Sequence, residues 1–552
     1  MSLIHSDLPE VTTTPVTVTA SAPAAADSSA SSTTEPSGLR AAHRDRAIDL
    51  IRFGCLVIVV VLHSMLSSAV LDAHGEVVPT VALSTTTGFT IASWFFQIMP
   101  LFFFIGGYAA LNGWRRTQAD GGTWADYLRA RLRRLIGPVV VLIGIAAAGL
   151  SVASGVGVPA DLLAEASTRI GQPLWFLAVY VGLTSLVPLA VHVHERAPRL
   201  TMAALAGAVV AVDGVAALTG VTSLGYLNFL FVWPLVQQCG FFYADAIDRP
   251  VRVRAAWTTM VIALVVLGGL VGFGVYSPNM LVNLNPPTGA LVLLGVAQMS
   301  LLRLSHARLN EVVSGGTWER VITWGNTYGI QVYLWHMSIV ITLIGLLGYG
   351  ANLVGGVTLG DGGSAAGFLL PEVESTWWWL TRLPWLITVM GLAALAAMTV
   401  SIIPLPSEER LARASRHLPR VRRPSGFRDG QPRVFRVSRR LWEPVPRAVI
   451  AVVLAVSGIS IALLIGIAPL IWTLLSLAML LASLVLAATL KSQTSEQTAL
   501  SLTRRPVGDR SKSQGPASNA SPETSLDPLP HQRGSQTSVT KSDAVRLAHD
   551  GR

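Results

Sequence analysis

The chain has 552 residues, of which 51% are hydrophobic and only 13% are charged. A soluble domain carries about 25% charged residues, so this composition excludes a water-soluble enzyme or module; repeated uncharged runs near 20 residues set the class as an all-α polytopic membrane protein. The net charge is +10, but its basic residues sit in loops between apolar runs, which reads as membrane topology and not as nucleic-acid binding.

Residues 1–44 are rich in Ser, Thr, Ala and Pro, have no apolar run and read as a disordered cytoplasmic tail, without the apolar core of a signal peptide. The first span runs over about 47–67 and carries Asp49, Arg52 and His63. At 100° per residue, Arg52 and His63 differ by about 20° in azimuth and Asp49 and His63 by about 40°, so the three lie along one stripe. Ionisable groups inside a span are costly and face a bundle interior or a wet cavity. Two readings stay open: snorkelling of Asp49 and Arg52 with His63 as a hydrogen-bonded core residue, or a functional stripe.

The second span, about 91–112, contains PLFFFIGGYAAL, where Gly106 and Gly107 allow close helix approach. A basic loop follows and ends in RLRRLIGP, whose Arg131 and Arg134 read equally as positive-inside topology or as phosphate ligands. Further spans are predicted near 136–154, 173–191, 202–219, 224–243, 256–276, 288–304, 324–348 and 383–403. Asp213 stands in the otherwise apolar fifth span and could orient a histidine or pair with an amide of another span; Asn326 and Gln331 read as interhelical hydrogen-bonding groups. His336 lies in the ninth span, either as a core histidine or as an acid–base group.

Residues 404–447 form an Arg-rich cytoplasmic loop, 448–490 are uncharged and too long for one helix, and 491–552 are a polar cytoplasmic tail. The run 448–490 reads as a two-span hairpin turning at Gly466–Pro469, for a total of twelve spans. With the N-terminus inside, the inside loops hold six, two, three, three and twelve Arg, whereas the outside loops hold Arg169 alone, with Arg382 at a membrane edge. Both termini are therefore expected in the cytoplasm, with the chain in the plasma (inner) membrane. Trp377, Trp378, Trp379 and Trp385 read as an interfacial belt. The two cysteines, Cys55 and Cys239, fall in predicted spans and leave no disulfide framework; nucleotide-binding glycine motifs, serine elbows and metal-ligand clusters are absent from the sequence.

Several phrases resemble the acyltransferase 3 family, the integral-membrane O-acyltransferases of bacterial surfaces. Asp49, Arg52 and His63 keep the D-x-x-R…His spacing of that family's first helix; Arg131, Arg134, Leu135 and Pro138 are similar to its R-x-x-R-L-x-x-P; Pro-Leu-Trp-Phe-Leu at 173–177 and Tyr-Leu-Trp-His at 333–336 resemble two later phrases. The resemblance covers about 45–403 as a ten-span domain and leaves the last two spans outside it. It implies transfer of an acyl group, most simply acetyl, from cytoplasmic acyl-CoA to a hydroxyl of a surface glycan or glycolipid, without a metal. In that frame His63 and His336 are the acid–base candidates with Asp213 as a possible partner, and Arg52, Arg131 and Arg134 are candidates for the donor's phosphates. Two other classes compete: a secondary transporter, which would show repeated halves with broken helices at matching positions, and a non-catalytic membrane scaffold using the 404–447 loop.

Overall fold

In the computed structural model, the structure describes residues 45–72, 74, 76–313, 316–355, 357, 364–403 and 445–490. The two predicted tails and nearly all of the Arg-rich 404–447 loop lie outside the described residues. The described chain is almost entirely helical and belongs to the all-α polytopic membrane class, as the composition requires.

Helix α1 (Arg46–Leu66) starts at an Asp45 N-cap whose carboxylate accepts from the Ile48 amide, and it ends in a short antiparallel hairpin of β1 (Ser67–Leu71) and β2 (Val77–Val81), paired from Ser67↔Val81 to Leu71↔Val77. This hairpin is not among the elements expected from the sequence. Helices α2 (Thr87–Phe96) and α3 (Met99–Ala119) meet just before Pro100 and together make the second span. Helix α4 (Trp124–Gly155) opens on a Thr123–Asp126 capping box, which satisfies two amide donors that a helix start leaves unpaired, and it carries Pro138 in its interior.

Helices α5 (Ala160–Gly171), α6 (Leu174–Ser185) and α7 (Val187–Arg196) follow, then α8 (Pro198–Thr219), a 3-10 helix (Thr222–Leu230) and α9 (Val232–Ala246). The remainder is α10 (Val253–Gly272), α11 (Gly289–Val313), α12 (Gly316–Leu353), the short α13 (Ala365–Leu369), α14 (Thr376–Ser401) and the pair α15 (Val445–Leu464) and α16 (Leu470–Ala488).

Among the described residues, ten helical spans are long and apolar enough to cross a membrane, or eleven if the bent segment from Ala160 to Arg196 is one broken span, against the twelve read from the sequence. The expected 173–191 span is bent by 54° where α6 passes into α7 beside Pro188, and the expected 224–243 span is a 3-10 helix followed by a 15-residue α9 with Pro234 in its first turn. Proline has no amide proton and fixes φ, so an apolar run containing it folds as two pieces more readily than one.

The main core is formed by α1, α3, α4, α6, α9 and α12, with α15 and α16 packed on α4 and α6. Only 6% of the apolar stretch of α8 and 11% of that of α10 is buried inside the protein, which makes these two helices the rim. Close approach of α3 and α9 depends on glycine: a Cβ at Gly107 would strike the Gln237 carbonyl, and one at Gly240 would strike the Phe104 carbonyl. Of the four tryptophans read as a belt, Trp377 and Trp379 are exposed, but Trp378 is fully buried and Trp385 donates to the Ser64 carbonyl at 3.1 Å.

Candidate active site

The site begins with how α1 docks on α12. Gly325 and Gly329, one turn apart on α12, open a groove into which Phe53 and Leu56 of α1 fit. Asn326 donates to the Asp49 carbonyl at 3.2 Å, so it forms the interhelical bond expected of it. The contacts advance together along both helices, which therefore run parallel. Seven residues is two turns, about 10.5 Å, with only about 20° of drift. A step of seven from the Leu56–Gly329 contact reaches His63 on α1 and His336 on α12, and the structure brings these two histidines together.

His63 Nδ1 is 3.1 Å from His336 Nε2, with ring centroids 5.0 Å apart and planes tilted by 43°. His63 Nδ1 is also 3.0 Å from the Val59 carbonyl, and His336 Nδ1 is 2.5 Å from the Tyr333 carbonyl. A carbonyl oxygen can only accept, so in the neutral pair both Nδ1 atoms carry their protons. His336 Nε2 then accepts from His63 Nδ1–H, and the lone pair of His63 is left on Nε2, which has no hydrogen-bond partner among the described residues. His336 is fully buried, whereas His63 keeps some accessible surface. The geometry gives the two rings different parts: His63 presents a base, and His336 fixes its tautomer and ring angle.

Aromatic residues from three of the phrases noted in the sequence surround His336. The Tyr333 hydroxyl donates to the Pro173 carbonyl at 2.7 Å, and the Tyr333 ring meets Phe176 edge-on at 5.4 Å. Phe176 in turn packs on Phe102 and Phe103, and Phe103 lies 4.4 Å from Trp233. The contacts of Tyr333 and Trp385 were not legible in the sequence. Tyr333 meets a carbonyl 160 residues away, and Trp385 holds the residue after His63 from 321 residues away.

The other predicted site residues lie elsewhere. Asp213 accepts from Asn228 Nδ2 at 2.7 Å, the Tyr276 hydroxyl at 2.7 Å and the Gly289 amide at 2.8 Å. Both of its oxygens are engaged in tying α8 to the 3-10 helix and the start of α11, so the histidine pair takes its orientation from backbone carbonyls and not from this carboxylate. Arg52 sits 11 residues before His63, about 16 Å lower along the axis, with its side chain 37% exposed and 3.8 Å from Asp49 Oδ1. Arg131 lies 3.5 Å over the Tyr127 ring and against Gly113 of α3, and Arg134 is exposed on α4.

The Arg46 end of α1 is fastened separately. His306 Nε2 donates to Asp45 at 2.9 Å, and the Ala47 amide donates to Asn310 at 2.8 Å. Burial pushes the Asp45 carboxyl up, but the His306 and Ile48 donors outweigh it and hold the group below the usual carboxylate range.

Comparison with known proteins adds one match. The acyltransferase 3 family model, described as an acyltransferase domain, matches residues 45–403, more than half of the chain. No curated protein and no solved structure matches.

Proposed function

We propose that this chain, which belongs to the acyltransferase 3 family, is a membrane O-acyltransferase that moves an acyl group, most simply acetyl, from acyl-CoA to a hydroxyl of a cell-surface glycan or glycolipid. The observation that carries this reading is the bare Nε2 of His63, oriented by a second histidine with no other hydrogen-bonding ring nitrogen to spare. His63 Nε2 takes the proton of the acceptor hydroxyl while its oxygen attacks the thioester carbonyl carbon. The C–S bond then breaks, and the proton passes from His63 to the departing CoA sulfur. During the step the positive charge on the His63 ring is shared through Nδ1–H with His336 and the Val59 carbonyl. An imidazole suits this work because its ordinary proton affinity lies near neutrality.

The donor's phosphates are assigned to Arg52, with Arg131 and Arg134 as further contacts, since a guanidinium fork matches phosphate oxygens. The Arg alternation puts both termini and the Arg52 end in the cytoplasm and the β-hairpin end outside, so the donor arrives from one side and the acceptor from the other. Membranes containing the full chain, given acyl-labelled CoA, are expected to transfer label to an envelope carbohydrate, and His63→Ala membranes are not. A carrier or a scaffold would give no labelled product, and a folded His63→Ala protein with wild-type transfer would overturn the assignment.

A further inference from the structure

A large cavity opens at the β-hairpin end of the bundle, with a volume of about 1770 Å³. Its walls are the β-hairpin, the last turns of α4, one face of α5 and the second half of α12. Its lining includes Trp335, the residue next to His336, and Ile170, three residues before the Pro173 carbonyl that holds Tyr333. The cavity is thus tied by the chain itself to the turn of α12 that carries the histidine pair.

Two features of its lining bear on what it takes. On the α12 wall, Trp335, Ser338 and Thr342 follow one another at about one-turn spacing, and all three line the cavity. The second feature is the stripe on α5. Asp161, Glu165 and Arg169 stand at intervals of four, so they share one face, and all three line the cavity. Asp72 and Glu76 line it from the hairpin, with His74 between them. Four carboxylates therefore meet one guanidinium, and that guanidinium is already bonded to Glu165 at 2.6 Å.

Resting on the acyltransferase reading above, we infer that this cavity is the acceptor vestibule, and that the α5 stripe with Asp72 and Glu76 admits polyhydroxylated acceptors without net negative charge. Carboxylates accept hydrogen bonds from sugar hydroxyls, and the exposed Thr342 hydroxyl, which donates to the Ser338 carbonyl, can accept one as well. An acceptor bearing phosphate or carboxylate groups would meet like charge in a cleft that focuses the field. The volume exceeds the roughly 300–1,000 Å³ of a site for a small ligand, which fits a chain of sugars.

The field can be read without knowing the acceptor. In full-length protein with Cys55→Ala and Cys239→Ala, a Thr342→Cys substitution places a thiol on the exposed cavity wall, and Val275→Cys places one on an exposed loop outside the cavity. Cationic and anionic methanethiosulfonates of similar size are applied from the outer face. The cation is expected to react at least about tenfold faster than the anion at position 342, relative to their ratio at 275. Asp161→Asn and Glu76→Gln, which leave the Glu165–Arg169 pair in place, are each expected to reduce that preference, as is Glu165→Gln. Equal ratios at 342 and 275, or a preference for the anion, would overturn the charge assignment. The labelled Thr342→Cys protein is expected to lose acyl transfer while retaining acyl-CoA binding; if it transfers normally, the cavity is not the acceptor's path. If the unlabelled protein transfers no acyl group at all, the functional reading falls, yet the reagent ratio still decides the charge of the vestibule.

Discussion

At the residue scale the proposed transfer rests on the lone pair of His63 Nε2. His63→Ala is expected to lower the transfer rate by about 10²–10⁴, the usual contribution of a general base, with no change in thermal stability large enough to explain the loss. In the proposed transfer His336 acts through His63, so its variants should differ from each other. His336→Gln can still offer an amide oxygen to His63 Nδ1–H and should retain more turnover than His336→Ala, where His63 is free to change tautomer. Equal activities for the two, measured in single turnovers on purified protein, would show that His336 does not orient its partner. Arg52→Ala should raise the KM for acyl-CoA more than it lowers kcat, and Arg52→Lys should recover only part of the loss, because an ammonium cannot make the two-pronged contact. An unchanged KM would remove Arg52 from the donor site. The Asp45–His306 contact has a pH signature of its own. Because the Asp45 carboxyl lies below its unfolded value, its stabilisation is present above the ordinary carboxylate range and disappears as pH falls through the lowered value. The stability difference between wild type and Asp45→Asn, followed by thermal unfolding in detergent, should shrink on acidification in that window.

At the scale of elements, small residues decide which helices can touch. Gly107 and Gly240 let α3 and α9 meet backbone to backbone, and valine at either position would have to displace a carbonyl. Each substitution is expected to cost about 1–3 kcal/mol, read as lower thermal stability, because overpacking shifts main chain and not a flexible side-chain tip. The α15–α16 hairpin lies outside the matched 45–403 domain, but its tip is held by that domain. The Ser167 hydroxyl on α5 accepts from the Ile467 amide at 2.5 Å and the Ala468 amide at 2.9 Å. Ser167→Val leaves these amides without their acceptor and should destabilise by roughly 1–3 kcal/mol, with faster hydrogen exchange confined to 465–469 at first. Unchanged exchange there would show that the hairpin is held by apolar packing alone.

At the scale of the whole molecule, the testable feature is the side on which each end of the bundle lies. Reporters fused after Gly155 and Asn279 are expected outside and one after Gly122 inside, from the alternation of Arg between loops. Two reversed reporters would invert the assignment of donor and acceptor sides. The broken α6–α7 segment and the 3-10 helix with α9 keep this parity when each crosses once; if only one of them failed to cross, the reporter after Asn279 would read inside.

The sequence by itself determined the class, the identity of the apolar runs and the stripe that carries Asp49, Arg52 and His63, because these depend on local composition and a fixed angle per residue. It also marked His336 within a recognisable phrase. It did not determine that His336 and His63 touch, since that depends on the register between two helices far apart in the chain, set by Gly325 and Gly329 against Phe53 and Leu56. Nor did it separate Asp213 from the histidines: a carboxylate in an apolar run looks the same whether its partners are imidazoles or, as the fold has it, an amide, a phenol and a helix start. The β-hairpin and the cavity it helps to enclose were likewise decided by tertiary structure, because a short strand between two spans has no periodicity long enough to read, and a cavity belongs to the walls of several elements at once.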